Sequence, residues 1–410
     1  MTQPASRPGS SFVVIAITCG CLIGMITFGV RSSFGIFQLP MLNDQGWDRT
    51  TFALAIALQN LLWGAGQPLF GAIADRYGTA RVLIFGVVVY AAGNLVMAWA
   101  DMPWMLHLGA GVLVGLGIAA SSFGIILAAF ARVSDPAKRS LVFGLGTASS
   151  SFGMFIFSPI ARQLIDRFGW SDALVILAFL LAIVPLLAIP LRGKPQTGGA
   201  NSAVRQTVRD ALTEAFGHRS YVLLTFGFFV CGFHVAFIAA HYPAFLADLG
   251  FSTSLAAWAL GLIGLFNIIG SLGSGILGQR YSKPAMLTLI YIGRAVAFSL
   301  FLLLPATETS VIIFSIAMGL LWLSTVGPTN ALVATMFGTA HLGLLGGLVF
   351  FSHQIGSFVG VWLGGYFYDQ TGSYVPVWWM GVGLGIFAAI LHWPISEKPV
   401  EREAMAASAS

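Results

Sequence analysis

Long apolar runs separated by short polar turns recur along the whole chain. With a window of about 19 residues, they fall near 12–37, 52–73, 82–100, 104–131, 140–162, 172–191, 220–246, 254–278, 285–304, 309–336, 342–367 and 375–394. Each can cross a hydrocarbon core about 30 Å thick. The runs are continuous and do not alternate. That predicts helices, the alternative to a closed barrel for satisfying the backbone in lipid. The expected fold class is an all-α membrane protein of twelve transmembrane helices. The first run is too long for a signal h-region and lacks a small-residue cleavage site, so it is read as a mature helix.

Composition agrees with this reading. Hydrophobic residues make up 57% of the 410 and charged residues 9%, against about a quarter charged in soluble domains. Basic residues give the orientation. Twelve spans with both termini cytoplasmic put Arg7, Arg76, Arg81, Arg132, Lys138, Arg139, Arg192, Lys194, Arg205, Arg209, Arg219, Arg280, Lys283, Lys398 and Arg402 inside, 15 of the 20 Lys and Arg residues. Arg49, Arg162 and Arg167 fall outside, as the positive-inside rule requires. The net charge of +5 is thus a topology signal and not a sign of nucleic-acid binding. Cys19, Cys21 and Cys231 lie in apolar helices without metal spacing and read as small buried hydrophobes.

Residues 193–218 form the one long polar interior segment. Gly193, Pro195, Gly198 and Gly199 precede a helical pattern with Val204, Val208 and Leu212 four apart. It reads either as a linker with a short interfacial helix or as a disordered tether. The chain then divides into 1–192, the linker 193–218, and 219–410. An internal repeat supports this division. GAIADRYGTARVL (71–83) aligns with GILGQRYSKPAML (275–287), and SPIARQLIDRFG (158–169) with GVWLGGYFYDQTG (360–372). Two parallel six-helix repeats suit an alternating-access transporter.

With Gly71, Asp75, Arg76, Gly78 and Arg81, the first repeat resembles the cytoplasmic motif of the major facilitator superfamily. The resemblance implies that fold, and for these five residues a gating role that latches the inward side shut. Gly71 and Gly78 are expected to allow a tight turn and close helix approach. A purely structural turn is the other reading. Thr79 and Ala80 replace the family's usual basic pair, and the second copy has Gly278 and Gln279 where the acidic residue would be. GVRSSFGIF (29–37), GWDRTTFALA (46–55), AKRSLVFGLGTASSSFGMF (137–155) and SHQIGSFVGVWLGGYFYDQTGSY (352–374) resemble the monocarboxylate-porter group and its bacterial relatives. That implies small organic anions as substrates, moved with protons or by exchange.

No Asp or Glu lies mid-membrane in this assignment. The interior ionisable residues are Arg31, Arg294, His234 and His353, with His241 nearer the outer face. Such a cavity attracts anions and repels cations. Arg31 leads the substrate-binding candidates, since its planar fork matches a carboxylate. The other reading is snorkelling to the outer headgroups. The resemblance places a proton-coupling Lys there, a role an arginine cannot take over. On the eighth run Asn267 and Ser271 stand where the family has an Asp and an Arg, and Asn267 is a further substrate-binding candidate, or else a helix–helix hydrogen-bonding residue. His353 and His234 are candidates for carrying the coupling proton, or are neutral groups bonded to neighbouring helices. Gln354 accompanies His353. Neutral polar residues that could line the path are Gln59, Asn60, Ser121, Ser122, Ser149 to Ser151 and Asn330. They could equally pack helices together. Arg294 should turn inward or bind a carbonyl and is read as structural. Trp322 could shape the pocket, and Trp378 and Trp379 read as interface anchors.

The expected function is a secondary transporter of small monocarboxylate-like anions in a bacterial-type inner membrane, working as a monomer. The alternative is an exporter of hydrophobic or drug-like compounds. No Walker motif, nucleophile–base pair or metal spacing appears, so neither an enzyme nor a cofactor is expected.

Overall fold

The computed structural model describes residues 10–135, 139–193, 207–338 and 341–400. Seventeen α-helices and no strand occur among them. α1 (Ser10–Ser32) and α2 (Phe34–Gln45) make the first crossing, jointed at Ser33. α3 (Arg49–Tyr77) and α4 (Thr79–Ala98) follow. The fourth crossing joins α5 (Pro103–Leu106), a π-helical stretch (His107–Leu113), α6 (Val114–Ala120) and α7 (Phe123–Val133). α8 (Arg139–Leu181) continues into α9 (Val184–Leu187), and α10 (Val208–Gly217) is short. α11 (Arg219–Asp248), α12 (Thr253–Leu277) and α13 (Lys283–Leu303) come next. α14 (Glu308–Leu321) and α15 (Val326–Phe337) share one crossing, and α16 (Leu342–Thr371) and α17 (Val375–His392) complete the fold.

Among the described residues, ten spans are long and apolar enough to cross a membrane. One of them, Leu141–Leu187, has 47 residues, about 70 Å of helix and twice a bilayer core. Gly169, at φ 82° and ψ 167°, breaks its path, and Arg162, Asp166, Arg167 and Asp172 surround the break. The fifth and sixth crossings are therefore two helices joined directly at a glycine, the two separate runs that the sequence predicts. α3, 29 residues long, lies outside the ten and carries Gln59, Asn60 and Gln67 in its central turns. With the split span and α3 counted, twelve crossings result.

The sequence repeat reappears in the backbone. Asp48 caps α3 by accepting from the Thr51 amide, and Ser252, 204 positions later, caps α12 by accepting from that of Leu255. Gly46 and Gly250, also 204 apart, both adopt positive φ (68° and 85°) where the first and seventh crossings end. The fourth and tenth crossings are both interrupted, at Ser121–Ser122 and at Trp322–Thr325. Pro328 accounts for the second, because it has no N–H for the Ser324 carbonyl and its ring excludes a straight helix there. The chain is thus two six-helix bundles, and matched interruptions of this kind point to a transporter's binding region.

The bundles meet along α3 and α16, α8 and α12, and α2 and α11. The contact is close near Arg49. A Cβ at Gly35 would overlap the Ala239 carbonyl, one at Gly365 would press on Ala53, and one at Gly64 would press on Gln354. Towards Asp75 the glycine packing between the bundles loosens, although a Cβ at Gly144 of α8 would still meet Leu272 of α12 at 3.6 Å. Gly71 of α3, Gly343 and Gly347 of α16, and Gly273 and Gly275 of α12 have nothing within reach of a Cβ. Gly71 therefore makes no close helix approach in this conformation. Gly78 does serve as a turn, at φ 98° between α3 and α4.

α10 is held by a capping box between Thr207 and Asp210; it buries Ala211 and Ala215 and leaves Val208 exposed. One smaller reading changes. Trp378 is fully buried against Phe237, Phe245, Phe298 and Phe314 and is no interface anchor, whereas Trp379 is exposed. Arg7, Lys138, Lys194, Pro195, Gly198, Gly199, Val204, Arg205 and Arg402 lie outside the described residues.

Candidate substrate site and gate

Arg31 ends α1 against α3. Its Nη2 donates to Asn60 Oδ1 at 2.5 Å, and its Cζ sits 4.7 Å from the centre of the Trp63 ring. Its Nε is enclosed and has no partner. No carboxylate pairs with it among the described residues. A void of about 20 Å³ beside it, lined by Gln59, Asn60, Phe34, Gly35 and Ala239 among others, has room for one water.

Asn60 also ties the two bundles together. Its backbone carbonyl accepts from Gln354 Nε2 at 3.0 Å, and Gln354 Oε1 in turn accepts from His353 Nδ1 at 2.9 Å. That arrangement puts the His353 proton on Nδ1. The His353 ring stacks on Phe350 and leans on Phe228, and Phe350 meets Trp63 edge-on at 5.4 Å. Arg31, Gln59, Asn60, Gln354 and His353 are thus brought together at the seam.

The polar belt continues into the second bundle. His353 interacts with Cys231, whose Sγ accepts from Arg294 at 3.5 Å. Arg294 turns inward and is fully buried. It donates to the carbonyls of Leu321 and Trp322 at 2.7 and 2.5 Å, the groups that the α14–α15 break leaves without helical partners. Asn267 serves the same break. Its Oδ1 accepts from the Leu323 amide at 3.0 Å, while its Nδ2 donates to Ser151 of α8 at 2.9 Å. Both polar atoms of Asn267 are held. Asn267→Leu is therefore expected to lower stability by about 1–3 kcal/mol, since a buried amide loses its acceptor. The readout is a lower Tm in detergent at unchanged substrate affinity. An altered affinity at an unchanged Tm would return Asn267 to the substrate contacts.

Other candidates stand apart. His234 is buried on the face of α11 turned to α17 and α13, bonded to the Gly381 carbonyl at 2.8 Å and packed on Phe298. Ser149 bonds within its helix to the Gly146 carbonyl. Asn330 is exposed on α15 beside Gly346. Asp75 acts electrostatically on Arg132, which donates to Thr79 and to the Leu191 carbonyl. Arg76 lies over Tyr77, and Arg76 and Arg81 are exposed. Among the described residues, Asp75, Arg76 and Arg81 hydrogen-bond to nothing in the second bundle. A groove of about 840 Å³ between α13 and α17 is walled by Ile292, Val296, Leu300, Ile386 and Trp393 and has no ionisable group.

The bundles are latched at the opposite end, by residues that the sequence reading did not single out. Arg49 grips Asp248 of α11 with two hydrogen bonds of 2.6 and 2.7 Å. It donates to Tyr374 Oη at 2.9 Å and stacks on Tyr368. The backbone amides of Arg49 and Thr50 donate to Asp369 of α16 at 3.1 and 2.7 Å, placing a carboxylate at a helix N-terminus. Behind this pair His241 is fully buried. Its Nε2 donates to the Val361 carbonyl at 2.8 Å, so Nδ1 is the acceptor facing Tyr374 Oη and Gln38 Nε2. A helix break lined by polar groups, a seam held tightly at the Arg49 end and twelve crossings in two repeats together suit a membrane transporter.

Comparison with known proteins agrees. Residues 20–360 match the Major Facilitator Superfamily. This chain belongs to that superfamily. It is 26% identical to an uncharacterized transporter of the superfamily, YcxA of Bacillus subtilis, over 89% of this chain and 90% of that protein. It is 24% identical to monocarboxylate transporter 13 of Bos taurus over 90% and 86%. Its fold is similar to that of the nucleoside transporter NupG, with a TM-score of 0.76, 15% identity and coverage of 92% and 98%. It is also similar to a bacterial homologue of the lysosomal transporter Spinster in an inward-facing, unoccupied conformation, with a TM-score of 0.73, 14% identity and coverage of 94% and 95%. These relatives are membrane transporters and not enzymes. The transporter is a multi-pass membrane protein with a small-molecule substrate.

Proposed function

We propose that this transporter carries small organic anions, monocarboxylates first among them, by alternating access with proton coupling or anion exchange. The observation that carries this reading is Arg31, a guanidinium at the bundle seam with no carboxylate beside it among the described residues. Arg31 keeps a donor unbonded at the seam, so a ligand can supply its counter-charge, and one guanidinium balances one carboxylate. The likeness to a monocarboxylate transporter supports the same class. Residues 1–192 and 219–410 rock as units about the linker 193–218. The Asp75 end faces the cytoplasm of a bacterial-type inner membrane, with both termini on that side, so the conformation described is open inward and latched outward at Arg49. On this reading the cytoplasmic group at Asp75, Arg76 and Arg81, with Gly71 and Gly78, engages when the bundles rock the other way. His353, joined to the Arg31 cluster, is better placed than His234 to take a proton as substrate binds. The carrier acts as a monomer.

The test is uptake of labelled pyruvate, lactate and oxalate into proteoliposomes, with and without a pH gradient. Accumulation of pyruvate or lactate driven by an acid exterior is expected. Failure to carry any of the three sinks the anion reading.

A further inference from the structure

Beside the free Nε of Arg31 lies a second donor without an acceptor. Nε1 of Trp63 is enclosed and unbonded. The two side chains touch, with the guanidinium over the indole face. An unmade buried donor costs about 1–3 kcal/mol, so two such donors on touching side chains call for an explanation. Their neighbours do not supply it. Asn60 Oδ1 already accepts from Arg31 Nη2, and Gln354 Oε1 from His353. Trp378 Nε1 is also unbonded, but an aromatic cage surrounds it.

Position adds the second argument. Trp63 and Phe350 form an edge-on contact across the seam. One turn further along α16, Gly347 has nothing near it, and Gly71 of α3 is likewise free. A solute entering from the Asp75 end therefore meets the Trp63–Phe350 contact first, with Arg31 directly behind. The void on the far side of Arg31, about 20 Å³, is too small for anything larger than water.

We propose that Trp63 is a substrate-binding residue, its indole N–H and the Arg31 guanidinium together holding one carboxylate, with Phe350 as the apolar wall. The assignment rests on the anion reading above. It narrows the substrate to a carboxylate carried on a compact apolar body, because Trp63 and Phe350 offer ring surface where a second anionic group would need a cation.

The test uses full-length protein in proteoliposomes with labelled pyruvate. Trp63→Phe keeps a ring against Arg31 and Phe350 but removes the N–H. It is expected to raise the KM about ten- to hundredfold, the weight of one hydrogen bond to a charged group, at a retained maximal rate. In nanodiscs carrying ¹⁵N-indole protein, the resonance missing from the Trp63→Phe variant should move on pyruvate addition to wild type. It should stay in place in Arg31→Gln. If Arg31→Gln loses uptake while Trp63→Phe keeps its KM and the Trp63 resonance does not move, the Trp63 assignment is wrong and the anion reading survives. If wild type carries no pyruvate, both fall together.

Discussion

Gln in place of Arg31 is expected to cut pyruvate uptake at sub-saturating concentration by about thirtyfold to a few thousandfold. Truncating one partner of a buried, hydrogen-bonded charge pair costs about 2–5 kcal/mol, and each 1.4 kcal/mol is tenfold. Gln can still bond Asn60, so the local fold is preserved and the loss is read on the ligand. Lys at the same place keeps the charge but not the fork or the stacking on Trp63. It is expected to retain part of the uptake, with a KM about tenfold higher. Snorkelling would predict otherwise. A side chain reaching only for headgroups would tolerate Gln with little change in affinity, and that result would remove Arg31 from the site. The geometry argues against it, since Arg31 is held inward by Asn60 and Trp63.

Hydropathy alone carried the fold far, because in lipid the number of crossings is set by apolar length. The exceptions have local causes. α3 is the least apolar crossing because it brings Gln59 and Asn60 to the seam, so the feature that weakens its membrane signal is the one that matters for the site. The break at Trp322–Thr325 had a legible sign in Pro328, but nothing nearby in sequence shows that Arg294 and Asn267 satisfy it. Those partners are 27 or 28 and 56 positions away. The Arg31 cluster was legible in type, since an arginine deep in an apolar run needs a reason. Its partner Trp63 was not, because a tryptophan in a membrane helix is unremarkable until its N–H is seen without an acceptor. Arg49 read only as one charge at a helix start. Its partners lie 199, 320 and 325 residues away, and no periodicity reaches that far.

Arg49→Gln is expected to unlatch the end of the molecule where Asp248 and Asp369 lie. The wild-type pair is two-pronged, and its side chains are only 11% and 28% exposed, so solvent screens it less than a surface pair. Losing a charge-assisted hydrogen bond of this kind lowers the closed-to-open ratio by about ten- to hundredfold. Spin labels at Asp101 and Glu308, exposed positions in the two bundles at this end, would report it, in a background with Cys19, Cys21 and Cys231 replaced. The distance distribution should move to longer values in Arg49→Gln and in Asp248→Asn. It should return part-way when the charges are exchanged, with Asp at 49 and Arg at 248. Asp369→Asn should have a smaller effect, because its carboxylate receives backbone amides of a helix N-terminus and a hydroxyl, and the one amide oxygen can still accept at one of the two oxygen positions. An unchanged distribution in Arg49→Gln would mean that the glycine contacts at Gly35 and Gly365 hold the seam without help from charge. If the latch does open, the same motion draws α2 from α11 and α3 from α16. That uncovers the small void beside Arg31 from the other side, so one guanidinium is offered to each face of the membrane in turn.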